Sequence, residues 1–300
     1  MAGVALSGPG PGLYGFGMLR YEIVDVFTDR PYAGNPLAVV FGADALDDAQ
    51  LLSIAGEFNL SETAFVLPAA AGGSYRVRIC TPQTELPFAG HPSVGTAATL
   101  VRLGRLAAGA LIQECGAGNL PVEATAQRAT LTGGEPSVGP DLDPAPYLDA
   151  VGLTAADLAG PAPRLAGSGI DSVHLLVRPD ALARTAPEVA KIRAAAHTIS
   201  VSAWDPATAT SRARVFAGDL GVPEDPATGS AALAHGAYLV AVGLLPADGV
   251  TGYTVRQGVE MGRPSTLECE VTAVAGRATR CRVTGEVVPV AAGELREPPR

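Results

Sequence analysis

Three side chains that can carry a proton stand in distinctive local surroundings. His91 lies in "LPFAGHPSVGTAATL" (86–100), Asp225 in "EDPATGSAALAHGAYL" (224–239) and Glu62 in "NLSETAFV" (59–66). The first two stretches share a skeleton: a polar residue, Pro, two residues, Gly, a hydroxyl residue, Ala, Ala. Titratable groups held in unlike environments are what general acid–base catalysis needs. Each residue also has a plainer reading. Asp before Pro is a good helix N-cap, and a lone Glu in a loop is usually solvated. His is a poor cap, so His91 is harder to explain as scaffold. Gly95 and Gly229, one turn further on, allow close approach of another helix or of a ligand.

The doubled skeleton extends into a longer internal repeat. At an offset of 136, "LAVVFGADAL" (37–46) lies over "VHLLVRPDAL" (173–182), and "YRVRIC" (75–80) over "SRARVF" (211–216). Dropping two residues, to an offset of 134, places His91 on Asp225, Pro92 on Pro226 and Gly95 on Gly229. The chain therefore reads as two homologous lobes. Each has a strand (37–41; 173–177), a helix with apolar positions at Leu51, Leu52 and Ile54, or Val189 and Ile192, and a second strand (63–67; 199–203). An alternating strand follows (75–80; 211–216). Next come a helix (92–103; 226–242) and closing strands. The Pro/Gly/Asp-rich stretch 134–148 reads as the link. Glu62 falls between helix and strand, and its counterpart is Thr198, so only one lobe carries it.

Equivalent helix starts in such a protein can face each other across a cleft. Free N–H groups and positive dipole ends then make an anion site, with His91 and Asp225 on opposite sides. Asn35-Pro36 reads as a turn or a ligand contact. His174, in an apolar strand, reads as a satisfied core residue, and His197 and His235 carry no motif.

Composition narrows the class. The 300 residues are 47% hydrophobic and 17% charged, with a net charge of −9. That is enough for a substantial core and speaks against disorder. Lys191 is the only lysine and no basic stripe is present, which argues against nucleic acid. Cys80, Cys115, Cys269 and Cys281 form no C-x-x-C pair and have no nearby His, so a metal site is not expected; reduced thiols in a cytoplasmic protein are. No apolar run suits a membrane span. Residues 1–17 lack a basic n-region and are broken by Gly and Pro, which reads as a flexible extension.

"VDVFTDRPYAGNPLAVV", "NLSETAFV", "RICTPQTELPFAGHPSVGTA" and "GVPEDPATGSA" together resemble the phenazine-biosynthesis PhzF-like family, over about residues 18–290. The resemblance implies the α+β fold of diaminopimelate epimerase: two pseudosymmetric lobes, each a curved, mostly antiparallel, barrel-like sheet around a central helix. The lobes would span 18–135 and 149–285, with residues 286–300 packing back on the first. It implies a homodimer of secondary metabolism that uses no cofactor and no metal. The substrate would be a small, cyclic carboxylate like trans-2,3-dihydro-3-hydroxyanthranilate. Glu62 would move the proton, His91 and Asp225 would hold the substrate and assist, and Gly90, Gly229, Ser230 and Asn35 would bind it. Racemases of this fold use two thiols at the helix starts; no Cys stands near either start here. An epimerase or tautomerase of an amino-acid-derived metabolite, and a non-catalytic binding protein, are the alternatives.

Overall fold

The structure, a computed structural model, describes residues 17–218 and 222–299. The expected extension, apart from Gly17, lies outside the described residues. The first lobe runs β1 (Met18–Val26), β2 (Asn35–Phe41), α1 (Asp48–Phe58), β3 (Thr63–Leu67), β4 (Tyr75–Cys80), β5 (Glu85–Leu86), α2 (Gly90–Arg102), β6 (Gly109–Cys115), β7 (Gly118–Ala124) and β8 (Arg128–Thr132). The second runs β9 (Ser137–Asp141), α3 (Ala145–Ala150), β10 (Arg164–Gly167), β11 (Asp171–Leu176), α4 (Pro179–Leu182), α5 (Val189–Ala195), β12 (Ile199–Asp205), β13 (Thr210–Ala217) and β14 (Val222–Asp225). It closes with α6 (Gly229–Ala241), β15 (Gly249–Gln257), β16 (Ser265–Val274) and β17 (Arg277–Arg296). The stretch read as a link thus contains a strand: β9 pairs antiparallel with β10.

The strands form one continuous hydrogen-bonded sheet, and its portions in the two lobes, the first and second sheets, repeat one topology. β2 and β3 pair in parallel, as do β11 and β12. β3–β4 and β12–β13 are antiparallel, with Thr63 opposite Cys80 and Ile199 opposite Phe216, both displaced by 136 residues. The lobes then trade strands. β17 begins beside β16 and β8, and its last half, Val287–Arg296, pairs with β1 in the first lobe. β9, following β8, pairs into the second. At the crossing, β8 and β17 run antiparallel with Thr130 opposite Thr284, their hydroxyls 2.7 Å apart.

α2 and α6 fill the two barrels, and both are buried on almost every side. Small residues make this possible: Ala97, Ala98, Ala232, Ala234 and Ala237 let strands close tightly around the helices. One continuous apolar core joins the lobes through them, from Val24, Leu37 and Val94 to Leu233, Tyr238 and Val283. α1 covers the outer face of the first sheet, and α3 to α5 that of the second. His174 is buried, but neither ring nitrogen has a hydrogen-bond partner among the described residues, contrary to the expected satisfied core residue; it stacks on Tyr238 beside His235. The four cysteines are free and three are buried. No helix among the described residues is long and apolar enough to cross a membrane.

The repeat register needs one correction. The two central helices are both 13 residues long and start at Gly90 and Gly229, an offset of 139 rather than 134. Their ends agree: Gly104 N–H bonds to Val101 and Gly243 N–H to Val240. Strand pairing agrees as well, since Ile79 opposes Leu86 while Val215 opposes Asp225. Arg78 pairs with Glu85 as Arg214 pairs with Glu224. The repeated unit is therefore Glu-x-Pro-x-x-Gly, in "ELPFAG" (85–90) and "EDPATG" (224–229). His91 corresponds to Ser230, and Asp225 to Leu86. The shared His-Pro and Asp-Pro spacing misled because Pro favours a first helical turn. Here Pro92 is the third residue of α2, and Pro226 lies in the turn before α6.

Candidate active site

The helix starts meet N-terminus to N-terminus. A Cβ on Gly90 would lie 2.8 Å from the Gly229 Cα, and one on Gly229 would lie 3.1 Å from the Gly90 Cα. Only glycine permits this approach. Neither helix has a side-chain cap: Ala89 cannot supply one, and Thr228 turns its hydroxyl elsewhere. Two sets of first-turn N–H groups and two positive dipole ends thus converge on one place.

A small pocket opens there, and Glu62, His91, Asp225, Gly90, Gly229 and Ser230 all line it. Its walls follow the corrected repeat. Glu62 corresponds to Thr198, Leu86 to Asp225, Ala89 to Thr228, Gly90 to Gly229 and His91 to Ser230, and every one of these lines the pocket. The scaffold is symmetric while the chemistry is not. Glu62 and His91 come from the first lobe, Asp225 from the second, at positions that are not equivalent.

Glu62 follows the turn that ends α1, where Asn59 adopts a left-handed conformation with φ 49°. Its side chain is 12% exposed, and its Oε2 lies 3.5 Å from His91 Nδ1. Burial pushes the Glu62 carboxyl up to about 8; the nearby charge of Asp225 adds to the rise and a bond with Ser61 opposes it. Burial lifts Asp225 to about 6 against hydrogen bonds from Thr228 and Asn35. Burial lowers His91 to about 3, opposed by a bond with the Pro36 backbone. The imidazole is neutral at neutral pH, so its contact with Glu62 is not a salt bridge.

Asn35 is placed differently from the expected ligand contact. It is fully buried, and its carboxamide lies among protein groups. Its Nδ2 donates to Asp225 Oδ1 at 2.7 Å and to the Ala227 carbonyl at 3.0 Å. The same nitrogen lies 3.3 Å from His91 Nδ1, and its Oδ1 accepts from the Ser61 hydroxyl. Asn35 therefore bridges the lobes beneath the pocket. Sequence reading missed Thr228, whose hydroxyl donates to Asp225 Oδ2 at 2.6 Å; the Glu-x-Pro-x-x-Gly repeat would have placed it immediately before the helix. None of the cysteines lines the pocket. No cluster of metal-ligating side chains occurs among the described residues.

Two barrel lobes closing on facing helix starts define the diaminopimelate epimerase-like fold, and known proteins agree. Residues 24–293 match the family described as "Phenazine biosynthesis-like protein". A trans-2,3-dihydro-3-hydroxyanthranilate isomerase from Pseudomonas fluorescens is 33% identical, over 93% of this chain and 99% of that protein. A protein named an uncharacterized isomerase, from Mesorhizobium japonicum, is 35% identical over 92% and 98%. The crystal structure of a Bacillus anthracis phenazine biosynthesis protein of the PhzF family overlays with a TM-score of 0.82 at 25% identity, covering 93% of this chain and 99% of that one. The chain belongs to the phenazine biosynthesis-like, or PhzF, family, and it is an isomerase.

Proposed function

We propose that the protein moves a proton between two carbons of a small, cyclic carboxylated substrate, with Glu62 as the single acid–base group. The observation that carries this reading is the convergence of Glu62, His91 and Asp225 on one pocket where burial brings the Glu62 carboxyl near neutrality. A group titrating near the working pH serves as base in one step and acid in the next. The Glu62 carboxylate takes a proton from carbon beside an unsaturated system. The substrate's electron pair delocalises, and the carboxylic acid returns that proton to another carbon. Atoms and charge balance without a co-reactant.

The substrate carboxylate is held by first-turn N–H groups of α2 and α6 and by the Ser230 hydroxyl. Neutral His91 and ionised Asp225 hold the substrate's polar groups while the proton moves. Asn35 sets the spacing of those two side chains rather than touching substrate. The apolar wall of Leu86, Ile170 and Ala217 suits a ring. All these groups come from one chain, so the step needs no second copy. The relatives' names make trans-2,3-dihydro-3-hydroxyanthranilate the first compound to test.

The protein incubated with this compound in deuterium oxide should give an isomerised product, with deuterium at the new C–H to the extent that Glu62 exchanges with solvent. Glu62→Gln should lower turnover by a thousandfold or more, roughly the upper range for removing such a group, while far-ultraviolet circular dichroism stays unchanged. Turnover by that variant within tenfold of wild type would reject Glu62 as the proton carrier.

A further inference from the structure

Gln257 ends β15, is fully buried, and reaches the turn from Asp225 to Thr228. Its Nε2 donates to the Asp225 carbonyl at 2.7 Å and to Thr228 Oγ1 at 3.0 Å. Its Oε1 accepts from the Thr228 N–H at 3.2 Å. The backbone partners fix which end of the carboxamide is which, since a carbonyl needs the NH2 and an N–H needs the oxygen. Thr228 Oγ1 must therefore accept from Gln257. Its one proton is left for Asp225 Oδ2, 2.6 Å away.

The repeat supplies an internal control. Beyond Gln257, a Cβ on Gly258 would lie 2.6 Å from the Pro226 carbonyl oxygen; in the first lobe, one on Gly116 would lie 2.8 Å from the Pro87 Cα. Pro87 and Pro226 are counterparts, so the two glycines hold equivalent places. The residue before Gly116 is Cys115, whose thiol contacts the carbonyl of Gly118 at 3.5 Å. The turn bearing Leu86 thus has no carboxamide clamp, and the turn bearing Asp225 has one. If the fold alone required the clamp, both turns would carry it.

We propose that Gln257 is a positioning residue for the isomerase site: it fixes the direction of the Thr228 hydroxyl proton and thereby keeps a donor on Asp225. The role rests on Asp225 acting in the reaction, but it is tested by reading the Asp225 carboxyl itself, so its failure is separate from failure of the proposed reaction. The probe is ligand-free protein carrying 13C at the aspartate carboxyl carbons. The Asp225 resonance is identified by its absence in Asp225→Asn. Gln257→Met keeps the volume and removes all three bonds; Thr228→Val removes only the hydroxyl. Each should raise the Asp225 titration midpoint, by about one pH unit for one lost donor. The double variant should shift it no further than Thr228→Val, because both act through one hydroxyl. Thr228→Ser should keep the wild-type midpoint. A midpoint unmoved in Gln257→Met, or single shifts that add in the double variant, would overturn the proposal. If Gln257→Met does not fold, Gln257→Leu replaces it. Like Met it removes all three bonds and adds no charge beside Asp225, so it must raise the midpoint too; no rise there overturns the proposal equally.

Discussion

The role proposed for Glu62 sets the pH behaviour expected of the site. Its carboxyl is raised to about 8, chiefly by burial, and only the ionised form can take a proton from carbon. With wild-type protein, kcat/KM should therefore fall about tenfold per pH unit below about 8 and level off above it; a flat profile between pH 6 and 9 would exclude Glu62 as the base. The same shift affects stability. A folded-state value above the unfolded one means the native chain holds a proton that the unfolded chain releases between about 4.5 and 8. Stability is full below that window and falls as pH rises through it. Glu62→Gln removes the titration, so it should melt higher than wild type at pH 9 by an amount worth a few kcal/mol at most, with the gap closing at pH 5. Differential scanning calorimetry at the two pH values reads this directly. At this scale the sequence singled out His91 by itself, because a His at a poor capping position is hard to explain as scaffold; a lone Glu in a loop is usually solvated, so Glu62 was marked only by the family motif around it. The sequence was uninformative about Asn35 and Gln257. A carboxamide in a strand looks alike whether it meets substrate or braces a neighbour, and only three-dimensional contacts tell these apart.

α2 and α6 were legible as helices, and the Ala-rich, all-round apolar run of α6 also marked that helix as buried. Their starting points were not legible, because Pro fits several positions of a first turn or the turn before it. The Glu-x-Pro-x-x-Gly unit was visible in the sequence, but the more conspicuous Pro-x-x-Gly-hydroxyl-Ala-Ala echo, five residues out of register, masked it. The glycine contact between the helices has a measurable consequence. Gly90→Ala puts a methyl group 2.8 Å from backbone that cannot rotate away, so the helix starts must separate. Overpacking of this kind costs about 1–3 kcal/mol, which urea denaturation would report. Turnover should suffer far more than stability, since both sets of N–H groups move relative to Glu62. A Gly90→Ala variant with wild-type activity would mean that the spacing of the helix starts does not matter to the reaction.

At the scale of the whole molecule, the repeat gave two lobes and their internal strand order, but not the trade of strands between them. Residues 134–148 looked like a linker because Gly and Pro punctuate them, although β9 within that stretch completes the second sheet. The first sheet is completed by Val287–Arg296, which pairs with β1 along nine register positions. Deleting residues 287–300 should leave β1 with a long unpaired edge. Cooperative unfolding of the first lobe should be lost and aggregation should appear in light scattering, while a chain cut after Arg296, which among the described residues loses only the Gln50–Pro298 and Glu297–Gly17 hydrogen bonds, should still unfold cooperatively and stay free of aggregates. The crossing at Thr130 and Thr284 also determines what half of this protein could be. Either half alone has a barrel missing its last strand and a strand with no barrel to enter. Two copies of such a half, each lending its final strand to the other, would have everything closed. Such a pair would be an exchanged twin, with identical helix tips touching and no asymmetric place for a proton to go. Fusing the twins into one polypeptide is what lets the halves diverge, so that one can hold a histidine and a glutamate while the other holds an aspartate.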